Sequence, residues 1–196
     1  MIGLPHEDED EDEDEEFEPE ALICCIDSQC LIDGCVISAR MRGCVEVVAS
    51  DAVLQDSTFH CESQAVVLHP DQTSRIVIES SEFYADTGIG LEEPTFDTFS
   101  VNGSRFETDF AIELSFRNSD DSETNGSSSI IATGNNFDCE EAVIAVFDVP
   151  PVSMGLSNVA NLLPVQWRGS DNQMPDIPAA ILYSEDDAIR TVQRFP

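Results

Sequence analysis

Residues 106–114 read FETDFAIEL. The chain reads FYADTGIGL at 83–91, 23 residues earlier, and FDCEEAVIA at 137–145, 31 residues later. Each copy is a Phe, four mostly polar residues, a Gly or Ala, then alternating apolar positions. A backward half precedes each Phe: AVLQDSTF (52–59), IVIESSEF (76–83), FSVNGSRF (99–106) and IIATGNNF (130–137), with CLIDGCVI (30–37) ending on Ile in the same place. The forward halves are CVEV (44–47), AVVL (65–68), GIGL (88–91), AIEL (111–114) and AVIA (142–145). A copy in FEPEALIC anchors on Phe17, so the anchors Phe17, Ile37, Phe59, Phe83, Phe106 and Phe137 are spaced 20, 22, 24, 23 and 31 apart. The last interval is long because RNSDDSETNGSSS (117–129) has a loop composition.

Apolar residues recur with period two, and a Gly, Asp or Ser stands three residues before each anchor, so every half is a short strand followed by a turn. No window holds a helical apolar stripe. A sandwich would also have short strands, but it would not return the same residue class every ~23 positions. Stacked turns of a coil do: equivalent positions then lie about 4.8 Å apart. On that reading Ile32, Leu54, Ile78, Val101 and Ala132 form one inward stack. The anchors form a second, and Val45, Val66, Ile89, Ile112 and Val143 a third. The column two before the anchor (Cys35, Ser57, Ser81, Ser104, Asn135) points inward as a small polar stack, hydrogen-bonding along the ladder.

This pattern resembles the right-handed parallel β-helix proteins of the pectate-lyase-like class over residues 17–147. The end of the chain is similar to the closing segment of such repeat proteins, through Trp167, Gly169, Ile177, Ile181, Tyr183, Phe195 and Pro196. It departs at Gln166-Trp167-Arg168-Gly169, where an adjacent Trp-Gly is usual. The resemblance implies an all-β, right-handed single-stranded solenoid of about six turns, roughly 29 Å long at ~4.8 Å each. The expected organisation is a disordered acidic arm (1–16), the repeats (17–147) and an irregular cap (148–196).

Composition bounds the function. There are 40 acidic residues against 8 basic, all eight Arg, for a formal charge of -32. Such a charge opposes nucleic acid and anionic membranes, and suits high salt, cations or basic partners. The acidic run Glu7–Glu16 reads as a solvated tail. No apolar run is long enough for a transmembrane segment, and the start MIGLPHEDED has no signal-peptide pattern. The expected location is therefore the cytoplasm unless the original start is missing, whereas the resemblance implies a cell-surface or extracellular setting. The seven cysteines show no zinc spacing and, being odd in number, no complete disulfide framework. They read mainly as small buried apolar residues.

Stacking turns scattered residues into columns. The third residue after the anchor gives Glu20, Glu62, Asp86, Asp109 and Glu140. Carboxylates about 5 Å apart raise one another's pKa or recruit a cation, and clustered oxygens are what calcium needs. In the family resembled, such carboxylates bind calcium or act as acid and base on a polysaccharide. In a chain one-fifth acidic, solvated turn residues produce the same column. Arg105 is the one basic residue placed to assist a lyase; it also reads as the ion-pair partner of Glu82 across one step. His6, His60 and His69 assemble no catalytic set. There is no phosphate loop and no basic-aromatic patch. Tyr84 and Trp167 are the available platforms for a sugar ring.

These features give two expectations. The first is a non-catalytic binding or structural module presenting a flat ladder face to a carbohydrate or partner protein, without a bound cofactor. The second is a polysaccharide lyase or glycoside hydrolase using Asp86, Asp109 and Glu140, with Arg105 in support and calcium as a possible ion.

Overall fold

The computed structural model describes residues 21–40, 43–92, 94, 96, 98–116, 129–148, 165–184 and 187–195. The acidic arm, Phe17, Glu20, Pro196 and all but the last residue of the 117–129 insertion lie outside them, with the expectations placed there.

The described residues form β-strands and turns, with no helix among them. One sheet has six strands: β2 (Gln29–Asp33), β5 (Asp51–Gln55), β8 (Arg75–Glu79), β10 (Thr98–Asn102), β12 (Ser129–Thr133) and β14 (Gln166–Ser170). They lie side by side in chain order, every pair parallel. The other sheet contains β1 (Ala21–Ile26), β4 (Gly43–Val48), β7 (Gln64–His69), β9 (Glu82–Glu92), β11 (Arg105–Ser115), β13 (Asn136–Phe147) and β15 (Ala180–Ser184). Short strands β3 (Val36–Ala39) and β6 (Thr58–Cys61) extend it alongside the first half of β9. Its one antiparallel pair is β15 with β16 (Asp187–Val192). After each of the first five strands of the six-stranded sheet the chain crosses into the other sheet, then returns one strand further along; after β14 it enters β15 and β16.

The turn signal in the sequence has a backbone cause. Gly34, Asp56, Ser80, Gly103 and Gly134 all take positive φ, between 49° and 64°, a region open to Gly and tolerated by small polar residues. This bend redirects the chain between sheets at the same place in each unit. Beside it runs the small polar column. The Ser57 N–H donates to Ser81 Oγ (3.3 Å), Ser81 N–H to Ser104 Oγ (3.2 Å) and Ser104 N–H to Asn135 Oδ1 (2.9 Å). Each serine hydroxyl also donates to the carbonyl two residues before it. Buried polar groups are thereby satisfied without breaking the stack. Cys35, expected to point inward with this column, is exposed instead, although its N–H still donates to Ser57 Oγ.

Register follows the sequence columns. Ile32, Leu54, Ile78, Val101 and Ala132 pair in succession and are buried. So do Ile37, Phe59, Phe83, Phe106 and Phe137; the four Phe rings stack with centroids 5.2, 4.7 and 5.3 Å apart. Offset stacks of this kind contribute about 0.5–1.5 kcal/mol per pair beyond the area buried.

Two expectations need correction. The third column runs Val45, Val66, Ile89, Ile112 and then Ile144, not Val143. β13 carries one extra residue between Cys139 and Ala142, a β-bulge that shifts its second half. Nor is the segment from 148 irregular throughout. β14 pairs with β12 (Ile130 with Trp167, Ala132 with Gly169), and β15 pairs with β13. Asp171 takes φ +58° where Gly134 has +64°, and Asn172 continues the polar column from Asn135. Gly169-Ser170-Asp171-Asn172 thus repeats Ala132-Thr133-Gly134-Asn135, but exposed Met174 stands at the anchor position, which obscures the match.

Candidate functional site

The outward side chains of β6 and of the first halves of β9, β11 and β13 form one continuous face. Alternation along each strand sends Phe59, Phe83, Phe106 and Phe137 inward. The residues on either side of each anchor therefore point out. Register lines them up: Thr58, Glu82, Arg105 and Asn136 in one row, and Ser38, His60, Tyr84, Glu107 and Asp138 in the next.

Tyr84 is the centre of this face. His60 stacks on its ring, with centroids 4.7 Å apart and planes within 14°. The Arg105 guanidinium lies 6.0 Å from the ring centroid, at the outer reach of a cation–π contact. The Tyr84 hydroxyl donates to Glu82 (3.1 Å). Partial burial, and then the Glu82 carboxylate beside it, raise the Tyr84 phenol above its ordinary pKa, with Arg105 acting the other way. Ser38, the neighbour of His60 on its other side, is too small to cover the second imidazole face.

Arg105 and Glu82 do stand opposite each other in register, as expected, yet they are not the ion pair. Arg105 Nη2 bonds Glu107 Oε2 at 3.0 Å, two residues along the same strand, while Glu82 accepts the hydrogen bond from the Tyr84 hydroxyl. Both partners in the Arg105–Glu107 pair are about half exposed, so it contributes little stability. His69 pairs instead with Glu46 (3.2 Å) on the far half of the sheet.

The carboxylates fall at the end of this face where the chain turns into the second half of each strand. Thr108 pairs with Ala85 and Phe110 with Thr87, which sets Asp109 beside Asp86. On the other side Thr108 pairs with Cys139 but Phe110 with Ala142, so Glu140 and Glu141 both lie opposite Asp109. The bulge thus doubles the carboxylate at this step and spreads the column. Asp86 and Glu140 are exposed and Asp109 half-buried. Among the described residues no three His, Cys, Asp or Glu side chains converge as a metal cluster, and Asp86, Asp109 and Glu140 are not brought into one.

Trp167, expected as an open platform, is buried. Its ring is tilted against Phe137 at 6.3 Å and stacks on Phe195 at 4.1 Å. The sequence reading missed the His60–Tyr84 stack because the column one after the anchor was not read as a unit; aligned, it places two rings in adjacent units. No disulfide joins the described cysteines; Cys30, Cys44 and Cys139 are buried and Cys24 and Cys35 exposed. No helix among the described residues is long and apolar enough to cross a membrane.

No protein-family model matches this chain, and no curated protein or solved structure is detectably similar to it.

Proposed function

We propose that this chain is a right-handed parallel β-helix of the pectate-lyase-like kind acting as a non-catalytic binding module, with the face around Tyr84 as its binding surface. Support for the coil comes from the unbroken alternation between two parallel sheets with the same columns in each unit. Support for its hand comes from the strong bias of parallel crossovers toward right-handedness. The ligand is a glycan displayed at a cell surface or outside the cell. The observation that carries this is the His60–Tyr84 stack on a flat outward face, with Arg105, Glu82 and Glu107 around it as hydrogen-bonding groups. Sugar rings are held by such pairings of an aromatic surface with a few fixed polar groups. At -32 the chain repels uronate polymers, so the glycan is neutral or amine-bearing.

A second reading, a polysaccharide lyase or glycoside hydrolase on Asp86, Asp109 and Glu140 assisted by Arg105, draws on the bulge that sets Glu140 and Glu141 across from Asp109. Bulges often re-aim side chains at active sites.

One experiment separates these readings. Neutral, amine-bearing and acidic polysaccharides are incubated with the protein, with and without calcium, and read for binding and for new chain ends. Binding of a neutral or amine-bearing polymer, lost in Tyr84→Ala and leaving no new ends, is expected. New ends that vanish in Asp109→Asn would establish the enzyme instead. Binding to no polymer would remove the glycan and leave a protein partner as the occupant of this face.

A further inference from the structure

At the end of the polar column the structure repeats a hydrogen-bonding arrangement once more than it fills it. The side-chain amide of Asn135 accepts from the Ser104 N–H (2.9 Å) and uses both amide hydrogens, donating to Val101 O (2.9 Å) and to Asn172 Oδ1 (2.9 Å). One unit on, Asn172 takes the equivalent place. Its Oδ1 accepts from the Asn135 N–H (3.0 Å) and its Nδ2 donates to Ala132 O (2.9 Å). So in two successive units a primary carboxamide joins the backbone N–H of the preceding column residue to the carbonyl three residues before that N–H.

The next set is open. The Asn172 N–H corresponds to that of Asn135, and the Gly169 carbonyl corresponds to those of Val101 and Ala132. Asn172 Nδ2 also retains its second hydrogen. Ser170 O bonds back to Gly134 N–H (3.0 Å), and alternation along β14 turns the Gly169 carbonyl to the other side, away from β12. Among the described residues no group caps these three positions. They border a cavity of about 660 Å³, within the usual range for a small-molecule site. Trp167 and Phe195 wall one side and Met174 and Ile177 supply apolar surface nearby. A side chain at Gly169 would collide here: a Cβ would stand 2.5 Å from Trp167 Nε1 and 3.1 Å from Asn172 Nδ2.

We propose that this cavity binds a primary carboxamide, seated as the next member of the asparagine column. Its oxygen accepts from the Asn172 N–H and Nδ2, and its nitrogen donates to the Gly169 carbonyl. A carboxylate cannot donate to Gly169. A trans N-substituted amide holds its N–H on the side opposite its oxygen and cannot meet both ends. The group comes either on an asparagine side chain of another polypeptide or on a free small amide. This site is separate from the Tyr84 face and does not depend on the reading of that face.

Trp167 is the single tryptophan of the chain, so its fluorescence reports the cavity directly. The intact protein is titrated with acetamide and with N-acetyl-asparagine N-methylamide, each against its matched control, N-methylacetamide and N-acetyl-aspartate N-methylamide. A saturable change with the primary amides and none with the controls is expected. Response to both primary amides assigns the site to the headgroup alone, and response to the asparagine derivative only assigns it to a polypeptide side chain. Equal response to a control, or no saturable change with either primary amide, overturns the proposal. Asn172→Ser keeps an acceptor for Asn135 N–H, as the serines do elsewhere in the column, and loses the Nδ2 donor. It is expected to bind about tenfold more weakly. Should that variant fail to fold, the contrast between probes on the native chain still decides.

Discussion

Phe83 and Phe106 lie with ring centroids 4.7 Å apart and planes 8° from parallel. Phe59 continues the stack on one side and Phe137 on the other. An anchor in the middle of this column touches a ring above and a ring below, so it cannot be removed without leaving a void bounded by aromatic faces. Burial and stacking therefore act together at these positions.

Phe106→Ala is expected to destabilise the protein by about 3–5 kcal/mol, the range for deleting a buried aromatic side chain. Phe106→Leu, which keeps most of the volume but loses both ring contacts, should cost less than half as much. Urea unfolding followed by far-UV circular dichroism checks both. A loss under about 1 kcal/mol for the alanine variant would mean that the stack does not hold the fold.

Asn135 ties three units together through Ser104, Val101 and Asn172. Asn135→Ala leaves a buried N–H and a buried carbonyl short of partners, at a cost of about 2–4 kcal/mol. Asn135→Ser should recover part of that loss, because a hydroxyl there can take the Ser104 N–H as Ser104 takes that of Ser81. The same unfolding measurement distinguishes them. Equal losses in both variants would show that the amide acts by filling space.

The columns were legible in the sequence because two local signals coincide: period-two apolarity, and a residue suited to positive φ three before each anchor. Ser57, Ser81, Ser104 and Asn135 could be read as an inward ladder for the same reason. What escaped depends on contacts between distant segments. Nothing in FDCEEAVIA tells which of Glu140 and Glu141 is the additional residue, because both are compatible with a bend; pairing with β11 decides. Trp167 looks like a surface aromatic until Phe195 returns to cover it. The unit around Gly169–Asn172 has an acceptable turn residue in Asp171, but three residues on it carries exposed Met174 where the other units have a buried Phe or Ile, so the anchor that marks a unit is missing.

Gly88 and Gly134 are required for different reasons, and substitution tells them apart. At Gly88 an added Cβ would meet Phe106 Cδ1 at 2.7 Å and the Ala111 carbonyl at 2.8 Å. The backbone oxygen cannot retreat, so Gly88→Ala should cost about 1–3 kcal/mol or more through overpacking. At Gly134 nothing lies within 4 Å and φ is +64°. Gly134→Ala should cost about 1–2 kcal/mol from the left-handed backbone alone. Gly134→Asp should be milder still, since Asp56 and Asp171 already adopt this conformation. Thermal melts of the three variants give the order. If Gly134→Asp proved as harmful as Gly88→Ala, the equivalence of these turns would be wrong.

Cys139 makes stability depend on alkaline pH in a defined direction. Burial is the main reason that its thiol is pushed up to about 11 from the ordinary 9.0, with Asp138 and Asp109 adding to the rise and Thr108 and Ala111 opposing it. The folded state thus holds this proton more tightly than the unfolded chain. The resulting stabilisation is fully present below pH 9, declines as pH rises through 9 to 11, and is gone above. Cys44, to about 11, and Cys30, to about 12, act in the same direction. The chain has no lysine, so among its side chains the cysteines and the two tyrosines carry the titration in this window. Stability should therefore fall between pH 9 and 11, with Cys139 contributing up to about 1.4 kcal/mol per pH unit. Cys139→Ala removes that contribution, so its urea midpoint should change less steeply with pH than that of the parent, whatever its stability at pH 8. An unchanged slope would mean that the Cys139 thiol ionises as readily in the folded chain as in the unfolded one, and that the inward column beside the bulge is open to water.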